Sequence, residues 1–284
     1  MRKIYVIGIG AGDPDQLTLQ AVKALKSTDV FFILDKGEEK DDLVQLRRDL
    51  LDAHCADRTD RGDQTDRTDR TDRTDRADRA DGAYRVVEAR DPARDRGASG
   101  ADYSPAVGDW RSRRADIYER LIGDELGADE CGAFLVWGDP SLYDSTLGVL
   151  GEVLDRGHVA FSYVVVPGVS SVSSLAAKHR IGLNRVARPV QITTGRRLAD
   201  RGFPDGVDDV VVMLDAQQAF RQYQGGEGGD MHIYWGAYIG TADEILVSGP
   251  LDEAAPRIEA LRAEARERKG WIMDTYLLRR DPED

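Results

Sequence analysis

Three turns in this 284-residue chain carry residues suited to holding a small ligand. The first is Gly8-Ile9-Gly10-Ala11-Gly12-Asp13-Pro14, where three glycines let the backbone take positive φ and approach a ligand closely. The second, Trp137-Gly138-Asp139-Pro140-Ser141-Leu142-Tyr143, joins a flexible backbone to a carboxylate. The third, Val166-Pro167-Gly168-Val169-Ser170-Ser171-Val172-Ser173-Ser174, is rich in hydroxyls. Each follows an apolar run that reads as a buried strand, and open α/β sheets bind ligands at the carboxyl ends of their strands. Taken singly, each turn also has a plain structural role. Asp139 and the serines are good helix caps.

Several chemistries are disfavoured. The dinucleotide fingerprint needs a third glycine where Asp13 stands, and Pro14 follows it. No Gly-Lys-Ser/Thr follows the first turn, so it is not a phosphate-binding P-loop. Cys55 and Cys131 are far apart, and His54, His158, His179 and His232 lack metal-ligand spacing, so no metal is expected. Acidic residues outnumber basic ones, 52 against 39, for a net charge of −13, and no basic stripe marks a nucleic-acid face. Only 7 of the basic residues are lysine, a balance compatible with a high-salt cytoplasm. No apolar run has membrane-spanning length, and Ile4-Tyr5-Val6-Ile7 is too short for a signal-peptide core. A soluble cytoplasmic protein with no membrane or nucleic-acid partner is the expectation.

The elements that must position the turns alternate. Strands are expected at Ile4–Ile9, Val30–Leu34, Tyr84–Val87, Phe134–Trp137 and Tyr163–Val166. Helices are expected between them, at Leu17–Leu25, around Leu43, Leu46, Leu50 and Leu51, and over 106–127. Such alternation predicts an α/β fold with a parallel sheet and right-handed crossovers. After residue 184 the pattern changes. Strands at 190–193, 210–214, 232–235 and 245–247 surround a helical stripe at Ile258, Leu261 and Ala265, with a last strand or hairpin over 271–278. Two domains follow, 1–184 and a mixed α/β domain at 185–284, linked near Asn184–Pro189. Residues 57–81 repeat Thr/Ala-Asp-Arg without a large apolar side chain, which reads as a solvated insertion or a partner-binding segment.

Taken together and in order, the three turns resemble those of the tetrapyrrole (corrin/porphyrin) methylase family. That family pairs a G-x-G-P-G-D turn and L-T with a G-D-P turn and a P-G-[IV]-S/T-S turn. Here they read Gly8-Ile9-Gly10-Ala11-Gly12-Asp13 with Leu17-Thr18, then Gly138-Asp139-Pro140, then Pro167-Gly168-Val169-Ser170-Ser171. Ala11 replaces the usual proline. Further stretches narrow the resemblance to one branch: Phe31–Gly37, Leu135–Thr146, His179–Arg185, Ile192–Leu198 and Val212-Met213-Leu214-Asp215.

The resemblance implies a homodimer of two-domain α/β chains with S-adenosylmethionine (SAM) in an inter-domain cleft. It implies methylation of precorrin-5 at C-1 with release of acetate, without a metal. The cofactor contacts it carries over are Ala11, Trp137, Gly138, Asp139, Leu142, Ser170, Ser171, Met213, Gly240 and Thr241. Asp13, Asp35 and Tyr143 are the candidate catalytic groups for the deacetylation step. Lys36, Arg180, Arg185, Arg196 and Arg197 are candidates for gripping the carboxylates of a tetrapyrrole substrate. Methylation at a different ring carbon, a diphthine-synthase-like SAM methyltransferase, and a silent binding protein stay open as alternatives.

Overall fold

The computed structural model describes residues 1–35, 41–55, 84–92, 103–225 and 231–280. Lys36 and the 57–81 insertion lie outside the described residues. The chain divides into two units, Met1–Ile9 with Pro14–Gly168, and Gly10–Asp13 with Val169–Asp284.

The first unit alternates strand and helix as its apolar runs require. In chain order it contains β1 (Arg2–Gly8), α1 (Leu19–Lys26), β2 (Val30–Asp35), α2 (Asp41–Cys55), β3 (Arg85–Arg90), α3 (Tyr103–Asp124), β4 (Cys131–Val136), α4 (Thr146–Arg156) and β5 (Phe161–Val166). Its strands are all parallel, in the order β3-β2-β4-β1-β5. Both faces are covered, which is why the strands read as continuous apolar runs rather than alternating ones. Ile4, Val6, Phe32 and Phe134 pack with Tyr118 and Ile122 of α3 and Val149 and Val153 of α4. Ile7, Phe31, Ala133 and Leu135 pack with Ala21 and Leu25 of α1 and Leu50 and Leu51 of α2. Thr18 caps α1, its hydroxyl accepting the Ala21 N–H at 3.0 Å.

The second unit is mixed. It contains α5 (Ser171–His179), β6 (Val190–Thr194), α6 (Gly195–Arg201), β7 (Asp209–Met213), a 3-10 turn at Ala219–Tyr223, β8 (Met231–Ala237), β9 (Ile245–Pro250), α7 (Leu251–Lys269) and β10 (Asp274–Arg280). The strand order is β6-β7-β10-β8-β9, with β6 and β7 parallel and every other pairing antiparallel. Strand alternation decides the packing. Ile233, Trp235 and Ala237 enter a core with Ile258 and Ala265 of α7 and with Tyr276 and Leu278. Gly236 faces the other way, where a Cβ would meet Leu175 of α5 at 3.0 Å.

One sequence expectation shifts here and one open alternative closes. The chain enters the second unit at Gly168–Val169, ahead of the linker expected at Asn184–Pro189, because α5 packs on β8 and β10. The terminal segment is one strand, not a hairpin. Trp271 and Met273 stay outside it because their carbonyls accept the Tyr238 hydroxyl at 2.5 Å and the Tyr238 N–H at 3.0 Å.

Candidate functional site

In the first unit, β1 lies between β4 and β5, so Gly8, Gly138 and Gly168 emerge side by side at the carboxyl end of the sheet. The helices that follow β1 and β4 lie on opposite faces, α1 on one and α4 on the other. That makes the gap between β1 and β4 a topological switch point, where such sheets bind ligands.

The three glycines touch through their backbones. A Cβ on Gly8 would come within 2.5 Å of the Gly168 nitrogen and 2.8 Å of the Gly138 carbonyl oxygen. A Cβ on Gly168 would overlap the Gly138 carbonyl oxygen. Gly138 has φ 69°, which also favours glycine. Asp139 braces this arrangement. Its Oδ2 accepts the Gly168 N–H at 2.9 Å, and its Oδ1 accepts the Ser141 N–H at 2.8 Å and the Ser141 hydroxyl. Burial pushes the Asp139 carboxyl up, but the bonds from Ser141 and Gly168 outweigh it and hold the pKa below its ordinary value. Asp139 does not cap α4. Asp144 takes the Thr146 N–H at 2.7 Å instead.

The end of the second turn is anchored from α3. Buried Arg114 lies 2.8 Å from Asp91 and donates to the Ser145 and Tyr118 hydroxyls. Burial pushes the Tyr118 phenol up to about 12. Tyr143, exposed within this turn, holds φ 50°. Asp35 ends β2 half-buried, its carbonyl accepting the Asp91 N–H at 2.8 Å.

The second unit receives the rest of the first turn. Gly12 has φ 140°, and a Cβ there would meet the Thr241 methyl at 2.6 Å. Gly240 has φ 82°, and a Cβ there would meet the Asp13 nitrogen at 2.8 Å. Ala11 is buried at this junction and Asp13 is half-buried. The Gly240 N–H donates to Glu244 at 2.7 Å and the Thr241 hydroxyl to the Tyr238 carbonyl at 2.8 Å, fixing the facing loop. Gly12 and Asp13, which follow Ala11, therefore lie against Thr241 and Gly240.

Ser171 and Met213 converge on one residue. The Ser171 hydroxyl lies 3.4 Å from that of Thr275, which is the β10 partner of Met213. Ser170 caps α5, its hydroxyl accepting the Ser173 N–H at 3.2 Å. Arg180, Arg196 and Arg197 are exposed, the first at the left-handed end of α5 and the others opening α6. Arg185 is already engaged. It bonds Asp209 at 3.3 Å and the Arg280 carbonyl at 2.8 Å, with Asp208 at 3.7 Å, so it is not available to grip a substrate carboxylate.

One polar centre escaped the reading of single motifs. Asp215 is buried and accepts the Tyr276 hydroxyl at 2.7 Å, the Ala219 N–H at 2.6 Å and the Gln217 N–H at 3.0 Å. Its carbonyl accepts from Arg262 at 2.6 Å, and Arg262 pairs with Asp274 at 2.9 Å. Burial raises the Asp274 and Tyr276 pKa values. The signal was present as two separate stretches, Thr193-Thr194-Gly195 and Met213-Leu214-Asp215, with nothing in sequence to join them.

The donor set bears on the ligand. The three turns (8–14, 137–144 and 166–174) hold Asp13, Asp139 and Asp144 but no lysine or arginine. Among the described residues, no His, Cys, Asp or Glu cluster is placed to hold a metal ion, and no helix is long and apolar enough to cross a membrane.

Comparison with known proteins gives a consistent picture. The family model described as Tetrapyrrole (Corrin/Porphyrin) Methylases matches residues 3–255. A precorrin-6A synthase [deacetylating] from Sinorhizobium sp. is 46% identical over 280 residues, covering 99% of this chain and 96% of that one. The crystal structure of a cobalamin synthesis related protein, CobF, from Corynebacterium diphtheriae aligns with TM-score 0.75 and 33% identity over 99% of both chains. A uroporphyrin-III-C-methyltransferase from Thermus thermophilus, 16% identical, shares the fold with TM-score 0.60 over 98% of this chain and 94% of that one.

Proposed function

The chain belongs to the tetrapyrrole (corrin/porphyrin) methylase family, and from that premise we propose that it is a SAM-dependent C-methyltransferase converting precorrin-5 to precorrin-6A in cobalamin biosynthesis. The observation that carries the reading is the 46% identity to a precorrin-6A synthase along 99% of the chain. SAM supplies an electrophilic methyl whose transfer leaves the sulfide of S-adenosylhomocysteine. Water takes the acetyl group away as acetate. Neither step calls for a metal.

The chain's own part is placement. Methyl transfer needs the nucleophilic carbon, the methyl and the sulfur in line, and a rigid site supplies that order in advance. The Gly8, Gly138 and Gly168 backbones and the Asp139 brace give such rigidity at a switch point. We assign cofactor contact to Ala11, Trp137, Gly138, Leu142, Ser170, Ser171, Met213, Gly240 and Thr241. Asp139 acts by shaping the turn. Asp13, Asp35 and Tyr143 are the groups proposed for the deacetylation step. Arg180, Arg196 and Arg197, exposed on the described surface, and Lys36 are proposed to meet substrate carboxylates.

The test is mass spectrometry of the product made from precorrin-5 and SAM. Gain of one methyl together with loss of acetyl is expected. Methyl gain alone would assign the chain to another ring carbon. We further propose a cytoplasmic homodimer. Supporting it, Tyr163, Val164 and Val165 are exposed along the edge strand β5, an apolar edge of the kind proteins cover.

A further inference from the structure

Asp215 stands where two segments of the second unit meet. On one side is the exit of β7. Residues Leu214 to Gln218 leave the sheet in a turn that holds two non-glycine residues in the left-handed region, Leu214 at φ 55° and Gln218 at φ 59°. Leu214 is 64% exposed, so apolar burial does not hold it there. Such a conformation persists only when its surroundings over-determine it. The Asp215 carboxylate does this through the Gln217 and Ala219 N–H groups, which lie inside and just beyond the turn.

On the other side is the start of α6. A Cβ on Gly195 would come within 2.5 Å of the Asp215 Cβ and would overlap its carboxyl group. Gly195 is therefore glycine because Asp215 lies against it, and the first turn of α6 is seated on that carboxyl. The carboxylate is held in turn by the Tyr276 hydroxyl from β10 and its own peptide by Arg262 from α7. Tyr276 pairs with Val212, and its neighbour Thr275 pairs with Met213.

We propose that Asp215 is a positioning residue for the methyl donor: held by Tyr276, it fixes the β7 exit so that Met213 is presented to the cofactor in one geometry. The proposal rests on the reading that this chain binds SAM and that Met213 touches it. The Asp215 carboxylate is buried and bonded within the protein. Its effect on binding passes through the Met213-Leu214 backbone.

The experiment is isothermal titration of the purified full chain with S-adenosylhomocysteine, with thermal melting of each protein alongside. The variants are Asp215→Ala, Asp215→Asn and Tyr276→Phe. Leu278→Ala, a buried core residue of β10, is the control for lost stability alone. A displacement near 1 Å at a binding group weakens its action strongly, so Asp215→Ala is expected to raise Kd about tenfold. Tyr276→Phe should raise it less, and Asp215→Asn, which keeps one acceptor oxygen, should restore part of the Asp215→Ala loss. Leu278→Ala should melt earlier yet bind as the wild type does. If Tyr276→Phe and any Asp215 variant that folds bind with wild-type Kd, the positioning role is overturned while the methylase reading stands. If Leu278→Ala weakens binding as much as they do, the effect is general destabilisation and the proposal also fails. If the wild type itself does not bind S-adenosylhomocysteine, the functional reading fails and takes the proposal with it.

Discussion

The Asp139 carboxylate accepts the backbone N–H of Gly168 at 2.9 Å, tying the turn after β4 to the turn after β5. With its bonds from Ser141, that carboxylate is satisfied within the protein. Hydrogen bonds to charged groups contribute about 1.5–3 kcal/mol each when buried, and partial exposure here reduces the figure.

Asp139→Ala should therefore destabilise the first unit by about 1–2 kcal/mol and weaken SAM binding through loss of turn geometry. Urea denaturation and calorimetric titration read the two effects. The pH dependence has a definite sign. A carboxyl whose pKa is depressed on folding stabilises above its unfolded value, about 3.9, and that contribution fades as pH falls through the folded value. The stability gap between wild type and Asp139→Ala should hold near neutrality and close only in acid.

Gly168→Ala tests the backbone contact. The added methyl would overlap the Gly138 carbonyl oxygen, and neither strand can move without breaking its pairing to β1. Overpacking costs about 1–3 kcal/mol where side chains yield. Backbone cannot yield as readily, so the upper end or beyond is expected, measured as a drop in the denaturant midpoint. A variant as stable as the wild type would mean the three turns are not in contact.

Arg262→Ala should be among the most damaging single changes in the second unit. Among the described residues it leaves the buried carboxylate of Asp274 with the Trp235 indole N–H at 3.0 Å, and it strips the donor from the Asp215 carbonyl. Breaking a buried ion pair by removing one partner costs about 3–5 kcal/mol. Arg262→Met, which restores apolar volume but not the charge, should recover little of it, because Asp274 stays unpaired. Equilibrium unfolding of both variants gives the comparison.

His179 gives a pH signature. Burial lowers its pKa, against the opposing pull of the bond to the Trp235 carbonyl and the charge of Glu244. The unfolded chain then binds the proton more readily than the folded one. Stability is full above the ordinary imidazole value, about 6.5, and declines as pH falls through the lower folded value. His179→Gln should flatten that part of the decline on either side of the ordinary value, about 6.5. An unchanged slope in urea titrations would assign it to other groups.

Much of this architecture is readable in the chain because local signals and tertiary packing agree. Phe31, Phe32 and Ile33 could only be a strand buried on both faces, and helices do cover both. Thr18 and Ser170 sit where caps are needed, and both cap. What escaped the reading depends on non-local placement. Arg185 looked available because Asp208 and Asp209 are distant in sequence and only the start of β7 brings them to it. Asp139 offered a cofactor contact or a helix cap, and its bond to the N–H of Gly168 was not legible because that residue belongs to a different turn.

The first glycine turn has its neighbours far along the chain: Gly138 and Gly168 for Gly8, Gly240 and Thr241 for Gly12 and Asp13. Closing such distant contacts is slow and is favoured only once the intervening elements are in place. During synthesis this turn is made well before those partners and waits for them to pack against. A nascent or prematurely terminated chain that stops short of Thr241 thus exposes the motif without its mates, and should not sequester the methyl donor.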